Sequence, residues 1–428
     1  MRGLDRLLTH HRELKLIQRR LERKWGIVQA EYTVARGTNL EQTREFNRRT
    51  VLGAIMRQAA TSRTEIARQT GLSLTAVSSI VDDLVRVGWV KATGRRQTPR
   101  GQPPIDYDVA ADGAFSIGVA LDRDHVIAVL VDLAGQVRAE RRHAVDDPGL
   151  REATEIVATI LPELTASLSR AERARLQGMG VAVPGVIAQD GRVRRMVRLP
   201  TWEGLDVVEA FERAAGLEVT VTNDAIAAGV GAATYGSLRG SGTFFYVLFA
   251  LGMGSSLMMR GHPYRGLWEA TGRIGHIPIE SDGATCPACG GRGCLSHYVS
   301  VEALVERLRE SGRTPGPPSL ATISASFADG DAIIEAWLER AAEALARGLL
   351  VLENLLDPDA YVFDGRMPSE LLASLVERTE ARYLALRPHQ VSDRRLRLLV
   401  GDRGDAAVAF GAAAVPLYLA TTADLELL

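Results

Sequence analysis

The chain has 428 residues, enough for two or three domains. Hydrophobic residues make up 46% and charged residues 24%, as in a globular protein, and no run approaches the ~20 apolar residues of a membrane span. The amino terminus, "MRGLDRLLTHHRELKLIQRR", is charged throughout and lacks the apolar stretch of a signal peptide. We therefore expect a cytoplasmic protein that does not bind a membrane.

The formal net charge of −1 combines a basic front with an acidic body. Residues 1–110 hold 20 Lys and Arg against 11 Asp and Glu, whereas residues 111–428 hold 31 against 41. This asymmetry indicates a polyanion-binding module joined to a part that does not bind polyanions. A solvated arm with random charge drift is the alternative.

The first 45 residues are expected to form a helical arm. Apolar positions recur every seven residues over 4–28, but polar residues interrupt the stripe, so the predicted helix is only weakly amphipathic. It would support dimer contacts or pack on the next domain, and the sequence leaves both open.

A winged helix-turn-helix is predicted over residues 46–110. In "SRTEIARQTG", Ser62 and Glu65 match a capping box, and Gly71 suits a helix end. A short turn leads into "LTAVSSIVDDLVRVG", whose apolar residues have helical spacing. In this arrangement the exposed early residues of the second helix face the major groove of DNA. These residues are Ser73, Thr75, Ser78 and Ser79.

The segment after the helices is typical of a wing. "WVKAT" and "IDYDV" are predicted strands, and the loop "GRRQTPRGQPP" between them is basic and rich in turn residues. Arginines on such a loop contact phosphates or the minor groove. The predicted basic contacts are Arg63, Arg95, Arg96 and Arg100. A three-helix bundle used for protein contacts is the alternative to an operator-binding domain.

From residue 111 the pattern becomes α/β. "SIGVALD", "HVIAVLVDL" and "VRAERRHAV" are predicted strands, followed by a helix in "GLREATEIVATILPELTASL". Later, "LEVTVTNDAIAAGVGAATYG" passes from a strand into a helix, and "AYVFDG" is a further strand. Strands that lead into helices through glycine-rich turns predict a ligand crevice at the strand ends.

Several motifs in this region resemble the ROK family, which comprises repressors, open reading frames and sugar kinases. They are "GVAVPGVI", "TNDAIAAG", "ALGMGSS", "GRIGH", "CPACGGRGCL" and "GDRGDAAVAFGAA". The chain is most similar to the winged-helix repressors of the xylose or N-acetylglucosamine type. The resemblance implies a winged helix followed, over residues 111–428, by a two-lobed actin-like, sugar-kinase-like domain that binds an effector. Such a regulator would bind a double-stranded operator, as a homodimer or higher homo-oligomer.

The kinase function of the family is not expected here. Its kinases hold ATP phosphates on a turn of the form Asp-x-Gly-Gly-Thr, whose glycines allow close approach. In "GVALDRDH", Ala120 replaces the aspartate, and Asp122, Arg123 and Asp124 replace the glycines and threonine. Side chains would block the phosphates, so we predict a non-enzymatic regulator of carbohydrate-related genes. A sugar kinase with an appended DNA-binding module and a ligand-free DNA-binding scaffold are the alternatives.

Two polar residues of "TNDA" are predicted to contact the effector. Asp224 matches the position that takes the sugar hydroxyl proton in the family's kinases, and without a phosphoryl donor it would only accept a hydrogen bond. Asn223 beside it would donate and accept. The alternative is that this pair only caps the following helix.

The three cysteines of the chain lie together, ten residues after a histidine. Three thiolates and one imidazole are typical of structural zinc, and a redox Cys-x-x-Cys pair is the rival. The resemblance implies zinc as well, although the family has one residue between the first two cysteines and this chain has two. The predicted ligands are His276, Cys286, Cys289 and Cys294.

Two departures from the family alter the predicted effector. Arg273 replaces the glutamate of "Glu-x-Gly-His" that binds sugar hydroxyls, and Ser296 replaces the glutamate after "GCL". A guanidinium pairs well with oxyanions, so a sugar phosphate or sugar acid is favoured over a neutral sugar. In the family the zinc-bound histidine also reaches the sugar, which adds His276 to the predicted effector contacts. The alternative is an empty pocket regulated by a partner protein.

Overall fold

The computed structural model describes residues 40–58, 60–96, 103–188, 191–196, 198–236, 238–266, 271–312, 319–387 and 397–422. The chain divides into a unit of residues 1–45 and a unit of residues 46–428. The helix predicted over residues 4–28 and the loop residue Arg100 lie outside the described residues. The division predicted at residue 110 stays a prediction.

Three helices and a three-stranded sheet of order β1-β3-β2 form the winged helix. The elements are α1 (Leu40–Arg57), β1 (Thr61–Ser62), α2 (Arg63–Thr70), α3 (Leu74–Arg86), β2 (Val90–Arg95) and β3 (Ile105–Val109). The predicted capping box of Ser62 and Glu65 is present, and α2 ends at Gly71 with φ of 71°. The apolar stripe of α3, including Val77 and Val81, is buried. The predicted winged helix-turn-helix is confirmed.

The first lobe of the body contains a sheet of order β10-β7-β4-β5-β6. Its central strand β4 is fully buried, because helices cover both faces of the sheet. The elements are β4 (Phe115–Leu121), β5 (His125–Asp132), β6 (Val137–Ala144), α4 (Leu150–Leu164), α5 (Arg170–Arg173), β7 (Leu176–Val183), β8 (Val186–Ile187), β9 (Val193–Arg195), α6 (Val207–Ala215) and β10 (Val219–Asn223).

The second lobe repeats this topology with order β13-β12-β11-β14-β15. In each lobe three antiparallel strands are followed by two parallel ones. The predicted two-lobed α/β body is confirmed. The elements are α7 (Asp224–Tyr235), β11 (Thr243–Phe249), β12 (Met253–Met259), β13 (His262–Pro263), α8 (Ser296–Val299), α9 (Val301–Glu310), α10 (Leu320–Ala328), α11 (Ala332–Leu356), β14 (Ala360–Gly365), α12 (Ser369–Leu386), β15 (Arg397–Val400) and α13 (Ala407–Thr421).

Helices α7 and α13 pack against each other between the two sheets. A Cβ on Gly411 of α13 would lie 2.1 Å from the carbonyl oxygen of Ala227 in α7. Only glycine permits this approach, so the two backbones touch. Both helices begin beside the cleft between the lobes, where Asp224 and Asp405 line the same cavity. The cleft is therefore built on the start of this helix pair.

Helix α13 is also the most apolar helix of the described residues. The stretch Gly404–Thr421 has a mean hydropathy of 1.3 and is long enough to cross a membrane, but 67% of it is buried in the protein. Its apolar residues pack on β4 and α7, which accounts for its composition.

Candidate functional site

The cleft between the lobes is lined by charged side chains. They come from the turn after β4, the first residue of α7, the end of β14 and the residues before α13. These side chains belong to Asp122, His125, Asp224, Arg366 and Asp405. Strand ends from both lobes meet here, as the sequence predicted for the ligand crevice.

Side chains fill the turn that replaces the phosphate-binding glycines. Asp122 is buried, and its Oδ1 accepts a hydrogen bond of 2.7 Å from the Nε of Arg198. Asp124 accepts a 2.6 Å hydrogen bond from His125 and pairs with Arg366 of the second lobe at 2.9 Å. The hydrogen bond from His125 and the charge of Arg366 hold the pKa of Asp124 below its usual range. The turn therefore presents fixed carboxylates.

Asn223 and Asp224 lie where β10 passes into α7, and they have different roles. Asn223 is the helix cap: its Oδ1 accepts from the backbone N–H groups of Ala225 and Ile226, and its Nδ2 donates to the Gly185 carbonyl. Asp224 contributes as well, because its Oδ1 accepts a 2.8 Å hydrogen bond from the Ala225 N–H. The Asp224 carboxylate faces the cleft, where burial raises its pKa to about 7.

Arg198 bonds the cleft residue Asp122, and sequence reasoning missed it. Besides its bond to Asp122, its charge lowers the pKa of Asp224, so the guanidinium lies close to both carboxylates. Its Nη2 is buried and has no hydrogen-bond partner among the described residues. The arginine-rich segment "RVRRMVRLP" was the available indication, but no spacing rule distinguished this arginine from its neighbours.

The predicted metal ligands converge. The donor atoms of His276 and the three cysteines all lie within 4.8 Å of one another. The Sγ atoms of Cys289 and Cys294 are 3.6 Å apart, and the Sγ of Cys286 is 3.7 Å from the Nδ1 of His276. Sulfurs bound to one tetrahedral zinc at about 2.3 Å lie about 3.8 Å apart. The four residues form a cluster with the donor set and spacing to hold a metal ion.

Glycine geometry and burial complete this cluster. Gly293 has φ of 60°, and a Cβ there would lie 1.8 Å from the carbonyl oxygen of Glu280. Only glycine fits, and it lets the loop return Cys294 to the histidine. Burial and the neighbouring thiols raise the pKa of Cys294 to about 12. A bound cation would favour the thiolate instead.

Two arginines lie near the cluster. Burial lowers the pKa of His276, and the charges of Arg273 and Arg195 lower it further. The imidazole is therefore favoured in the neutral form that binds metals. Arg195 donates a 2.8 Å hydrogen bond to the carbonyl of Ala288. This bond joins β9 of the first lobe to the loop of residues 277–295, called here the cysteine loop. Arg273 is exposed and makes no ion pair among the described residues.

On the winged helix, α3 presents the predicted hydroxyl groups. Ser73 caps α3 and accepts from the Ala76 N–H. Thr75 and Ser79 are exposed, and Ser78 is half-buried. This face lies opposite the buried stripe of α3 and is available for a partner.

The arginines predicted for DNA contact differ in their surroundings. Arg96 bonds Glu65 at 2.8 Å and Asp106 at 3.0 Å, and it also donates to the Ala60 carbonyl. The hydrogen bond from Arg96 is the main cause that lowers the pKa of Glu65 to about 2. Arg95 is exposed without an ion pair among the described residues. Arg96 thus ties the base of the wing to α2, whereas Arg95 is free to reach outward.

Arg63 lies at the start of α2 beside the wing. It pairs with Asp82 at 2.5 Å, and its guanidinium stacks over the ring of Tyr107 at 5.1 Å. The structure thus places it between α3 and β3, partly buried.

Comparison with known proteins agrees with this architecture. Residues 46–99 match the MarR family, and residues 116–417 match the ROK family. A winged helix joined to a two-lobed, sugar-kinase-like body defines a DNA-binding transcriptional regulator. The chain belongs to the ROK family.

Two curated relatives are regulators. The xylose repressor of Bacillus subtilis is 25% identical over 268 residues, which cover 62% of this chain and 68% of that protein. The DNA-binding transcriptional dual regulator NagC of Escherichia coli is 24% identical over 337 residues, which cover 77% of this chain and 82% of NagC.

Solved structures share the fold. A ROK family transcriptional regulator, a homologue of the Escherichia coli MLC protein, aligns with a TM-score of 0.70 and 19% identity over 89% of this chain and 98% of its own. A ROK family glucokinase from Streptomyces griseus, in complex with glucose and AMPPNP, aligns with a TM-score of 0.61 and 21% identity over 71% of this chain and 99% of its own. The body therefore has the fold of both regulators and kinases.

Proposed function

We propose that the protein represses carbohydrate-related genes by binding a double-stranded operator through its winged helix. The observation that carries this proposal is the exposed hydroxyl face of α3 on a winged helix that is joined to a sugar-kinase-like body. Two relatives of the chain, the xylose repressor and the DNA-binding transcriptional dual regulator NagC, are transcriptional regulators. A homodimer or higher homo-oligomer in the cytoplasm is the expected form, since two-fold symmetry matches paired operator half-sites.

The body acts as a sensor without kinase activity. Asp122 and Asp124 occupy the turn where ROK kinases hold ATP phosphates, and both are held by arginines. Fixed carboxylates repel phosphates at short range. Asp224 then accepts a hydrogen bond from the effector, because it has no phosphoryl donor beside it. The alternative, a sugar kinase with an appended DNA-binding module, requires ATP turnover.

Zinc is the metal that suits the four-ligand cluster. A set of one imidazole and three thiolates fills a tetrahedral zinc site, so no position is left for a catalytic water. The ion supplies a structural cross-link. Four residues would hold it: His276, Cys286, Cys289 and Cys294. Arg273 and Arg195 lie near His276.

The effector carries an anionic group, as in a sugar phosphate or sugar acid. Arg273 is exposed and unpaired among the described residues, Arg195 lies near the same histidine, and Arg198 has a buried N–H without a partner in that part of the chain. Guanidinium groups bind such oxyanions with paired hydrogen bonds. Asn223, Asp224 and His276 would contact the sugar hydroxyls.

DNA selection tests the regulatory function. The purified protein should enrich a defined duplex from a random library, and this duplex should be bound far more tightly than a scrambled one of the same length. Protein that transfers the γ-phosphoryl group of ATP to a sugar, giving ADP and a sugar phosphate, and that enriches no duplex would establish the kinase alternative.

Calorimetric titration tests the effector class. Glucose and xylose should not bind measurably, whereas a panel of hexose phosphates and hexuronates should contain a ligand whose affinity falls when Arg273→Glu removes the positive charge. The matched control is Arg292→Glu, on an exposed position of the cysteine loop. Binding of neutral hexoses alone would reject an anionic effector.

A further inference from the structure

Helix α7 connects the effector cleft to the winged helix. Its first residue, Asp224, lines the cleft, and its last, Tyr235, packs against the core of the winged helix. The helix has 12 residues, so it spans about 18 Å. One rigid element therefore has one end in each functional region.

Tyr235 lies where three parts of the molecule meet. It packs against the buried cluster of Ala114, Leu133 and Leu417, against which Trp89 and Val109 of the winged helix also pack. Its ring contacts the ring of Phe410 in α13 edge-on, with 5.8 Å between centroids. A Cβ on Gly135, in the turn after β5, would lie 2.5 Å from the Cδ1 of Tyr235. The Tyr235 hydroxyl is buried and has no hydrogen-bond partner among the described residues. The contacts of this side chain are therefore those of its ring.

A second contact fixes the same end of α7. Arg239, just after the helix, donates a hydrogen bond to the carbonyl of Met56 in α1. The last residue of α13 reaches α1 as well: the carbonyl oxygen of Thr421 is 3.5 Å from the position of a Cβ on Gly53. The winged helix therefore rests on the ends of both α7 and α13.

Both supports are packed tightly on the sheets of the body, and α13 contacts both lobes. Helix α7 packs on β12 of the second lobe, where a Cβ on Gly229 would lie 2.3 Å from the Oγ of Ser256. Helix α13 packs on β4 of the first lobe, where a Cβ on Gly118 would lie 2.0 Å from the carbonyl oxygen of Ala409. Close packing of this kind transmits displacement instead of absorbing it. A displacement of α7 at its cleft end is therefore passed along the helix to the winged helix.

We propose that Tyr235 couples the cleft to the winged helix. A change at Asp224 in the cleft is transmitted along α7 and reaches the winged helix through the ring of Tyr235. This inference rests on the proposed function, because it concerns how operator affinity is regulated. Coupling between two sites is reciprocal, so operator binding must also alter α7.

A double-mutant cycle tests the coupling without a known effector. The full-length protein and its selected operator duplex are used, and D224N serves as the perturbation of the cleft. D224N should change the operator Kd by about fivefold or more. In the Y235A background, D224N should change the operator Kd by less than about twofold. Tyr235→Phe keeps the ring and should retain the full effect, and Y264A, at an exposed tyrosine, is the matched control.

Amide hydrogen exchange gives a readout that needs no substitution. Adding the operator duplex to the wild-type protein should change exchange over residues 224–235 and leave α12 unchanged. A D224N effect that is absent, or that is equal in the Y235A background, would overturn the coupling while operator binding stands. Failure of the wild-type protein to enrich any duplex would overturn the proposed function and this coupling with it.

Discussion

Asp124 and Arg366 form an ion pair across the cleft, with 2.9 Å between the carboxylate oxygen and the guanidinium nitrogen. Asp124 follows β4 in the first lobe, and Arg366 follows β14 in the second. A second ion pair joins Arg142 of β6 to Asp405, which lies just before α13. Ion pairs between the protein's own charged groups thus span the cleft beside the turn after β4.

The first prediction concerns nucleotide binding. Millimolar Mg-ATP should leave the Tm of the wild-type protein unchanged, because Asp122 and Asp124 repel phosphates. A variant that rebuilds the family turn, with Ala120→Asp, Asp122→Gly, Arg123→Gly and Asp124→Thr, should gain stability, by about 1.4 kcal/mol at tenfold excess over Kd. Thermal shift assays compare the two. Stabilisation of the wild-type protein by Mg-ATP would contradict the blocked turn.

The second prediction follows from the pKa of Asp224, which burial raises to about 7. The folded state then binds the proton more tightly than the unfolded state, whose carboxyl titrates near its ordinary value of about 3.9. The stabilising contribution is complete below about pH 4 and is lost as the pH rises through 7. Asp224→Asn should therefore exceed the wild-type stability at pH 8 by on the order of 4 kcal/mol, and the difference should shrink towards pH 5.

Thermal unfolding of both proteins from pH 5 to pH 8 measures this difference. Asp282→Asn, at an exposed position of the cysteine loop, is the matched control and should show no change with pH relative to wild type. If stability changes with pH in the same way for Asp224→Asn and the wild type, the Asp224 carboxyl does not ionise between pH 5 and pH 8.

The third prediction concerns the metal. Elemental analysis should find close to one zinc per chain, and Cys289→Ser should lower both the zinc content and the Tm, because the loop loses its cross-link. Cys289 is the exposed thiol of the three, so its substitution disturbs packing least. His297→Ala, at a neighbouring histidine outside the cluster, should keep the metal. Full zinc content in the Cys289 variant would remove this cysteine from the ligand set.

The fourth prediction separates two adjacent arginines. Arg95→Ala should weaken operator binding and lower the salt-dependence slope by ~1, with no change in Tm. Arg96→Ala should lower the Tm as well, because Arg96 bonds Glu65 and Asp106. Salt titrations of operator affinity and thermal unfolding measure both effects. Equal Tm values for the two variants would show that the Arg96 contacts carry no stability.

Local sequence rules predicted the winged helix because its features are local. The capping box of Ser62 and Glu65 and the left-handed Gly71 require residues three to nine apart in the chain, so the spacing alone specifies them. The convergence of one histidine and three cysteines was predictable for the same reason, since His276 and Cys294 are close in sequence and the residue types are distinctive.

The cleft was predicted only in part. The blocked turn and Asp224 were found through family motifs, but Arg198, Arg366 and Asp405 were not, because each meets its carboxylate or arginine partner across 76 to 263 positions of chain. Pairing over such separations depends on how the lobes close, and no local pattern encodes it.

The sequence by itself indicated the parts: a basic winged helix, an α/β body, a turn with charged residues after the first strand of that body, and a cluster of one histidine and three cysteines. These follow from residue type and short-range spacing. Only the tertiary structure decided how the parts meet, because long-range packing places the Asp224 end of α7 in the cleft and the Tyr235 end against the winged helix. The close approach at Gly411 and Ala227 and the junction at Tyr235 exist only once distant segments are packed together.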